Sequence, residues 1–192
     1  MTEQEKRILE KIQEVIDTKG YAVIAIDGRC GSGKSWFGSW LAEQTDGTLF
    51  HMDDFFLRPQ QRTAQRYQMP GENVDHERFL EEVLLPIQKR ETVQYRSYNC
   101  STKQLSQAAK ILPARVNIVE GSYSLHPSLQ QYYDLKIFLT VSPKVQLHRI
   151  QKRNPDRWED FRDKWIPMEE KYFAAFPVEK GAEELMDTTC LF

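Results

Sequence analysis

Cysteine is scarce in this chain. Its three cysteines, Cys30, Cys100 and Cys190, are odd in number and far apart, which excludes a disulfide framework and a thiolate cluster with metal-ligand spacing. A dominant charge is lacking as well: 26 Lys and Arg stand against 28 Asp and Glu, a net charge of −2. Without a broad basic field to engage phosphate backbones, nucleic acid is excluded as the main partner. No apolar stretch approaches the length needed to cross a bilayer, so no membrane partner is expected. The opening MTEQEKR is charged and polar, unlike a secretory signal. The chain is therefore expected to be cytoplasmic, and the Asn99-Cys-Ser101 sequon to stay unmodified. Internal repeats, low-complexity tracts and domain linkers are also missing. At 192 residues, 40% of them apolar, the chain fits one domain, 1–192, with a full core.

What is present begins at Gly28. Residues Gly28 to Ser35 read GRCGSGKS and match G-x-x-x-x-G-K-[ST] at every fixed position. The apolar run Tyr21 to Ile26 comes just before, and Phe37, Trp40 and Leu41 follow at helical spacing. Strand, glycine loop and helix form the context that a phosphate-binding loop requires. Glycines let consecutive N–H groups turn inward around an anion, and the helix begins with its positive dipole end at the phosphates. The loop residues Gly28, Arg29, Cys30, Gly31, Ser32, Gly33, Lys34 and Ser35, with Trp36, are thus candidate nucleotide contacts. Lys34 is expected to reach the β and γ phosphates, and the Ser35 hydroxyl to ligate Mg²⁺. A dinucleotide fingerprint fits worse, because Trp36 stands where a third glycine is needed.

Elsewhere, Ile8, Leu9, Ile12, Val15 and Ile16 form one helical stripe closed by Gly20. Short strands are expected at Thr48 to Met52, Val116 to Val119 and Leu135 to Val141. Arg58 to Gly71, with two prolines and four glutamines, reads as an exposed excursion. Asp75 is placed to cap a helix with Phe79, Leu80, Val83 and Leu84 inward, which Pro86 should bend or end. A small hairpin or flap is expected at about 92–112. Ser142-Pro143 opens a helix carrying Leu147, Arg149, Ile150 and Arg153, and a polar stretch from Asn154 to Asp163 precedes a last helix with Trp165, Met168, Tyr172, Phe173 and Phe176. Strands alternating with helices imply a parallel sheet covered by helices on both faces, an α/β fold of the P-loop NTPase kind. Its functional groups should gather at the carboxyl ends of the strands, where Asp53, Asp54 and Glu120 fall.

A regulatory GTPase would need a guanine-reading Asn-Lys-x-Asp, which does not occur, and the Asp17 to Gly20 Asp-x-x-Gly lies upstream of the loop. A motor or transport ATPase would need further domains or a longer chain. A small kinase remains, with an acceptor site, a group that orients the acceptor hydroxyl, and a cationic lid.

The GRCGSGKS loop, His51-Met-Asp-Asp-Phe-Phe-Leu57, Asn73-Val-Asp-His76 and Val119-Glu-Gly-Ser-Tyr-Ser-Leu125 together resemble the uridine kinase-like group. That group includes uridine-cytidine kinases, nicotinamide riboside kinases, phosphoribulokinase and bacterial pantothenate kinase. Trp165 to Tyr172 is most similar to the nicotinamide riboside kinase branch and to uridine kinase-like bacterial proteins. The resemblance implies ATP as donor, Mg²⁺, and a small-molecule acceptor, with a nucleoside first among the choices. It implies that Asp53 orients the attacking hydroxyl, and that Glu120 lies near Mg²⁺ and the acceptor. Mg²⁺ would be held by Ser35 with Glu120 and Asp53. Asp75 aligns with a position that holds ribose hydroxyls, though a plain helix cap reads equally well. Arg149 and Arg153, four apart on one helix face, resemble lid arginines over about 149–163, with Arg157 beyond them as lid contact or solvated charge. Tyr95 and Tyr98 resemble the pair that frames the base in uridine kinases, but no histidine follows them here, and they could equally pack the flap. A non-nucleoside acceptor, such as pantothenate or a sugar derivative, and a slow ATP-hydrolysing regulator stay open as alternatives.

Overall fold

The computed structural model describes residues 1–191. Its centre is a five-stranded, all-parallel sheet of β1 (Ala22–Gly28), β2 (Thr48–His51), β7 (Val116–Glu120), β8 (Leu135–Thr140) and β9 (Glu184–Asp187), in the order β2-β7-β1-β8-β9. Between β2 and β7 lie four short strands, β3 (Val93–Tyr95), β4 (Tyr98–Asn99), β5 (Gln104–Leu105) and β6 (Ala109–Ile111).

Every residue of β1 is buried, as a central strand covered on both faces requires. Its side chains alternate between two cores. Ala22, Ile24 and Ile26 meet Ile8, Ile12 and Ile16 of the helix Glu3–Lys19, and Phe37 and Leu41 of the helix Lys34–Thr45. Val23 and Ala25 face the other way, onto Phe79, Val83, Leu84 and Tyr172. The same parity puts Asp27, fully buried, on that second face. The first helix starts on a capping box between Thr2 and Glu5 and ends at Gly20, at φ 84°.

Three features differ from the sequence reading. Pro86 neither ends nor breaks its helix: the chain stays helical from His76 to Lys89, with a π turn over Leu80–Leu84 just before the proline. A π turn shifts the carbonyl register, which accommodates a residue with no N–H to give. The polar stretch after Asn154 is already helical from Trp158, and a second π turn, Phe161–Trp165, precedes Pro167 at the same offset. A fifth strand, β9, was not anticipated. The flap is an antiparallel excursion, β3 with β6 and β4 with β5, whose tip is turned by the Asn99 side chain accepting from the Ser101 and Thr102 amides.

Candidate active site

The carboxyl ends of β1, β2 and β7 open onto one cavity of about 760 Å³. The turn from β1 into the next helix is made possible by Gly28. At φ 136°, a Cβ there would sit 2.0 Å from the Leu139 carbonyl oxygen, so no other residue lets the loop leave the sheet so close to β8. Gly33, at φ 92°, begins the helix Lys34–Thr45 without a side-chain cap, leaving its first N–H groups pointing into the loop. The Lys34 ammonium is buried and donates to the Gly28 and Arg29 carbonyls at 2.7 and 3.1 Å.

Glu120 ends β7 and is 3% exposed, so its carboxylate must be satisfied locally. One oxygen accepts from the Ser35 hydroxyl at 3.2 Å, and the other lies 2.5 Å from His51 Nδ1 at the end of β2. That hydrogen bond raises the His51 pKa above the ordinary imidazole value, helped by the Glu120, Asp54 and Asp53 charges. The residue after Glu120 has to be glycine. Gly121 sits at φ 137°, and a Cβ on it would lie 2.9 Å from Met52 Cβ and 3.4 Å from an Asp53 carboxylate oxygen. The Glu-Gly pair therefore lets the segment after β2 pack against the end of β7 and brings Asp53 beside Glu120. Asp53 faces the cavity and stays accessible through it, yet protein atoms crowd it. That crowding raises its pKa; Lys34 opposes the rise, and the Glu120 and Glu169 charges add to it.

Of the residues expected at the site, Cys30, Gly31, Gly33, Lys34, Ser35 and Trp36 line the cavity. So do Asp53, Glu120, Arg153 and Arg157, from four different segments. Gly28, Arg29 and Ser32 are not on the wall. Arg29 instead pairs with Glu170 at 2.8 Å and donates to Thr140 Oγ1, fastening the loop to the helix Ile166–Ala175. Arg149 does not share the cavity with Arg153. It turns under the loop, to the Gly31 carbonyl at 3.2 Å and the Thr188 carbonyl at 2.6 Å. Four residues of helical spacing put two Cα atoms on one face, but long side chains diverge toward the nearest acceptors.

Asp75 lies off the cavity wall as well. Fully buried, it caps its helix through the Arg78 amide and pairs with Arg58 at 3.1 Å and with Arg78 at 3.4 Å. Tyr95 and Tyr98 both stand behind the cavity lining. Tyr95 donates to Asp54 Oδ2 at 2.7 Å, and burial with that bond raises its pKa. Tyr98 is buried under the Arg62 guanidinium, 5.6 Å from the ring centre.

Other parts of the wall come from residues that sequence reasoning did not single out: Arg62 and Tyr67 from the polar excursion, Asn73, Tyr123 and Glu169. Lys164 and Trp165 join them from the second π turn, Phe161–Trp165. Glu169 is buried, accepts the Cys30 amide at 2.9 Å and the Ser122 hydroxyl at 2.6 Å, and so joins the loop to the segment after β7. Asp27 works in the same way one layer deeper. Its carboxyl accepts from the Gly28, Tyr123 and Leu125 amides and the Tyr172 hydroxyl, at 2.7 to 3.1 Å. Burial still pushes its pKa up to about 6. The visible signal was an acid interrupting an apolar strand one residue before the glycine loop.

A family model described as the phosphoribulokinase / uridine kinase family matches residues 23–163. Among solved structures, that of a possible uridine kinase from Bacillus stearothermophilus superposes with a TM-score of 0.67 at 16% identity, covering 94% of this chain and 100% of that one. A candidate fructose transport system kinase from Silicibacter sp. TM1040 superposes with a TM-score of 0.62 at 20% identity, covering 94% and 97%. At these identities the likeness bears on the fold, which is the α/β P-loop NTPase fold. No helix among the described residues is long and apolar enough to cross a membrane.

Proposed function

The chain belongs to the phosphoribulokinase / uridine kinase family and is a P-loop kinase, and from that premise we propose that it transfers the γ-phosphoryl group of ATP to a primary hydroxyl of a nucleoside-like small molecule. The observation that carries this reading is the convergence of Lys34, Ser35, Asp53 and Glu120 on one cavity, which Arg153 also lines. Ser35 and Glu120, 3.2 Å apart, with Asp53 beside them, offer hard oxygen donors of the kind Mg²⁺ takes. When bound there, the ion would neutralise charge on the β and γ oxygens.

In this reading the loop amides hold the triphosphate, and Lys34 leaves the Gly28 and Arg29 carbonyls for phosphate oxygens. Asp53 accepts a hydrogen bond from the acceptor hydroxyl and aims its lone pair at the γ phosphorus. Its raised pKa makes it a better acceptor for that proton than an ordinary aspartate. His51 holds the Glu120 carboxylate in place. Arg153, with Arg157 at the rim, stabilises the charge spread over the transferring group.

The acceptor pocket favours a hydroxylated compound held by Arg62, Asn73 and Tyr123. A sugar derivative is the second reading. It is favoured by Tyr95 and Tyr98 lying behind the lining, where neither frames a base. The test is acceptor-stimulated ADP release over a panel of nucleosides, sugars and vitamins. A large stimulation by one nucleoside supports the proposal, stimulation by a sugar selects the second reading, and none across the panel leaves a regulator. With the true acceptor, Asp53→Asn is expected to lower kcat by about 10²–10⁴-fold without changing the melting temperature. Near-normal turnover would remove Asp53 from its role.

A further inference from the structure

Away from the cavity wall, Glu72, His76 and His126 form a cluster that the phosphoryl-transfer chemistry does not use. One donor atom from each lies within 4.8 Å of the other two, and both histidines are buried. The imidazoles stack at 4.0 Å between ring centres, 16° from parallel. Glu72 Oε1 lies 3.2 Å from His76 Nε2 and 3.8 Å from His126 Nε2. On the far side of both rings, Ser128 Oγ lies 2.8 Å from His126 Nδ1 and 3.2 Å from His76 Nδ1.

That arrangement is short of one proton. The Ser128 amide donates to His126 Nδ1 at 3.3 Å, which leaves His76 as the ring whose Nδ1–H donates to the Ser128 hydroxyl oxygen. The ring that donates through Nδ1–H has, in its neutral form, a bare Nε2 lone pair. That lone pair faces the Glu72 carboxylate, itself only an acceptor. Two acceptors are thus pressed together in a buried place, a costly contact unless something positive lies between them. Arg66 does not fill that role, because its guanidinium meets the other Glu72 oxygen, at 3.3 Å, and Glu77 at 2.7 Å. We propose that Glu72, His76 and His126 bind a zinc-class divalent ion, with Ser128 as the group that orients both rings.

Two imidazoles and one carboxylate are a donor set for Zn²⁺ or a neighbouring transition ion, and not for Mg²⁺. In a closed tetrahedral site, with bonds of about 2.0–2.1 Å, donor atoms stand roughly 3.3 Å apart. Glu72 and His76 already have that spacing, and closure needs one of the stacked rings to rotate inward. His76, whose Nδ1–H donates to Ser128 Oγ, is held as metal-bound histidines usually are, and His126 can ligate once its proton moves from Nε2 to Nδ1, which then donates to the same oxygen at 2.8 Å. Glu77 Oε2, 3.7 Å from His76 Nε2, or a water is in reach as fourth donor. The consequence is structural. Glu72 adjoins Asn73 and His126 follows Tyr123 by three residues, so the ion would clamp together two segments of the cavity wall.

The test uses the full chain, stripped with a chelator and titrated with Zn²⁺ alone. One equivalent is expected to bind, to raise the melting temperature, and to shift the imidazole Nε2 resonances of both His76 and His126 in ¹⁵N spectra. Glu72→Gln and His126→Ala are each expected to lose at least tenfold in Zn²⁺ affinity, while Glu120→Gln keeps it. The spectra require no substitution, so a variant that fails to fold leaves them decisive. Absence of stoichiometric uptake, unmoved His76 and His126 resonances, or uptake that disappears in Glu120→Gln would each overturn the assignment.

Discussion

Replacing Asp27 by asparagine tests the buried network under the loop most directly. The native carboxyl takes two hydrogen bonds on each oxygen: the Gly28 and Tyr123 amides on one, the Leu125 amide and the Tyr172 hydroxyl on the other. An amide NH₂ cannot accept, so whichever side it occupies leaves at least one backbone N–H unpaired, at a cost of about 1–3 kcal/mol. A second effect runs the opposite way and depends on pH. Burial raises the Asp27 pKa from 3.8 to about 6, so the native state keeps a proton that the unfolded chain has already released. The sign follows: this group's stabilisation is complete below 3.8 and is lost as pH rises through 6. At about 1.36 kcal/mol per pKa unit, the whole loss is about 3 kcal/mol, of which roughly half falls between pH 5 and pH 7.5. Asparagine does not titrate and escapes that loss. In urea unfolding, Asp27→Asn is therefore expected to be less stable than wild type at pH 5, with the gap narrowing by about 1 kcal/mol at pH 7.5. Other titrating groups cancel in the difference. A gap that stays constant or widens with pH would refute the reasoning, because it would mean that four donors hold the carboxylate charged despite its burial.

Two further predictions rest on paired carboxylates. In Glu120→Gln the His51 imidazole loses the carboxylate that raises its pKa, so its NMR titration midpoint is expected to fall; an unchanged midpoint would mean that Asp53 and Asp54 set it instead. Glu184, in β9, takes Arg7 at 2.5 Å and Lys11 at 2.6 Å, and its pKa is lowered to about 2, first by the Arg7 hydrogen bond. A lowered carboxylate stabilises above its unfolded value of about 4.5 and loses that contribution as pH falls toward 2. Glu184→Gln is expected to cost about 1 kcal/mol at neutral pH, since both cations are partly exposed. That deficit should vanish in thermal melts taken progressively below pH 4.5.

Local patterns carried much of the site. GRCGSGKS, the acids at the ends of β2 and β7, and the Gly121 that lets them meet are all read from short stretches of chain. Ile8, Ile12 and Ile16 announced the first helix in the same way. β9 escaped because four residues at a sheet edge, with Leu185 and Asp187 turned to solvent, carry too little alternation to stand out. For Asp75, Tyr95 and Tyr98, residue type and sequence neighbours do not specify the contacts. Their nearest partners are Arg58, Asp54 and Arg62, which the turns of the excursion and flap bring under the cavity wall. Arg149 and Arg153 separated for a similar reason: the Gly31 and Thr188 carbonyls lie within reach of only one of them.

The sequence by itself determined where the glycine loop lies and at which strand ends the acids stand, because those features depend on backbone conformations set within a few residues. Only the tertiary structure decided which side chains line the cavity. It also brought Asp27 to Tyr172, Cys30 to Glu169 and Glu72 to His126. Those partners lie 54 to 145 positions apart in the chain, a distance over which no periodicity or motif carries information. Burial, which forces each polar group to find a partner, is what selects them.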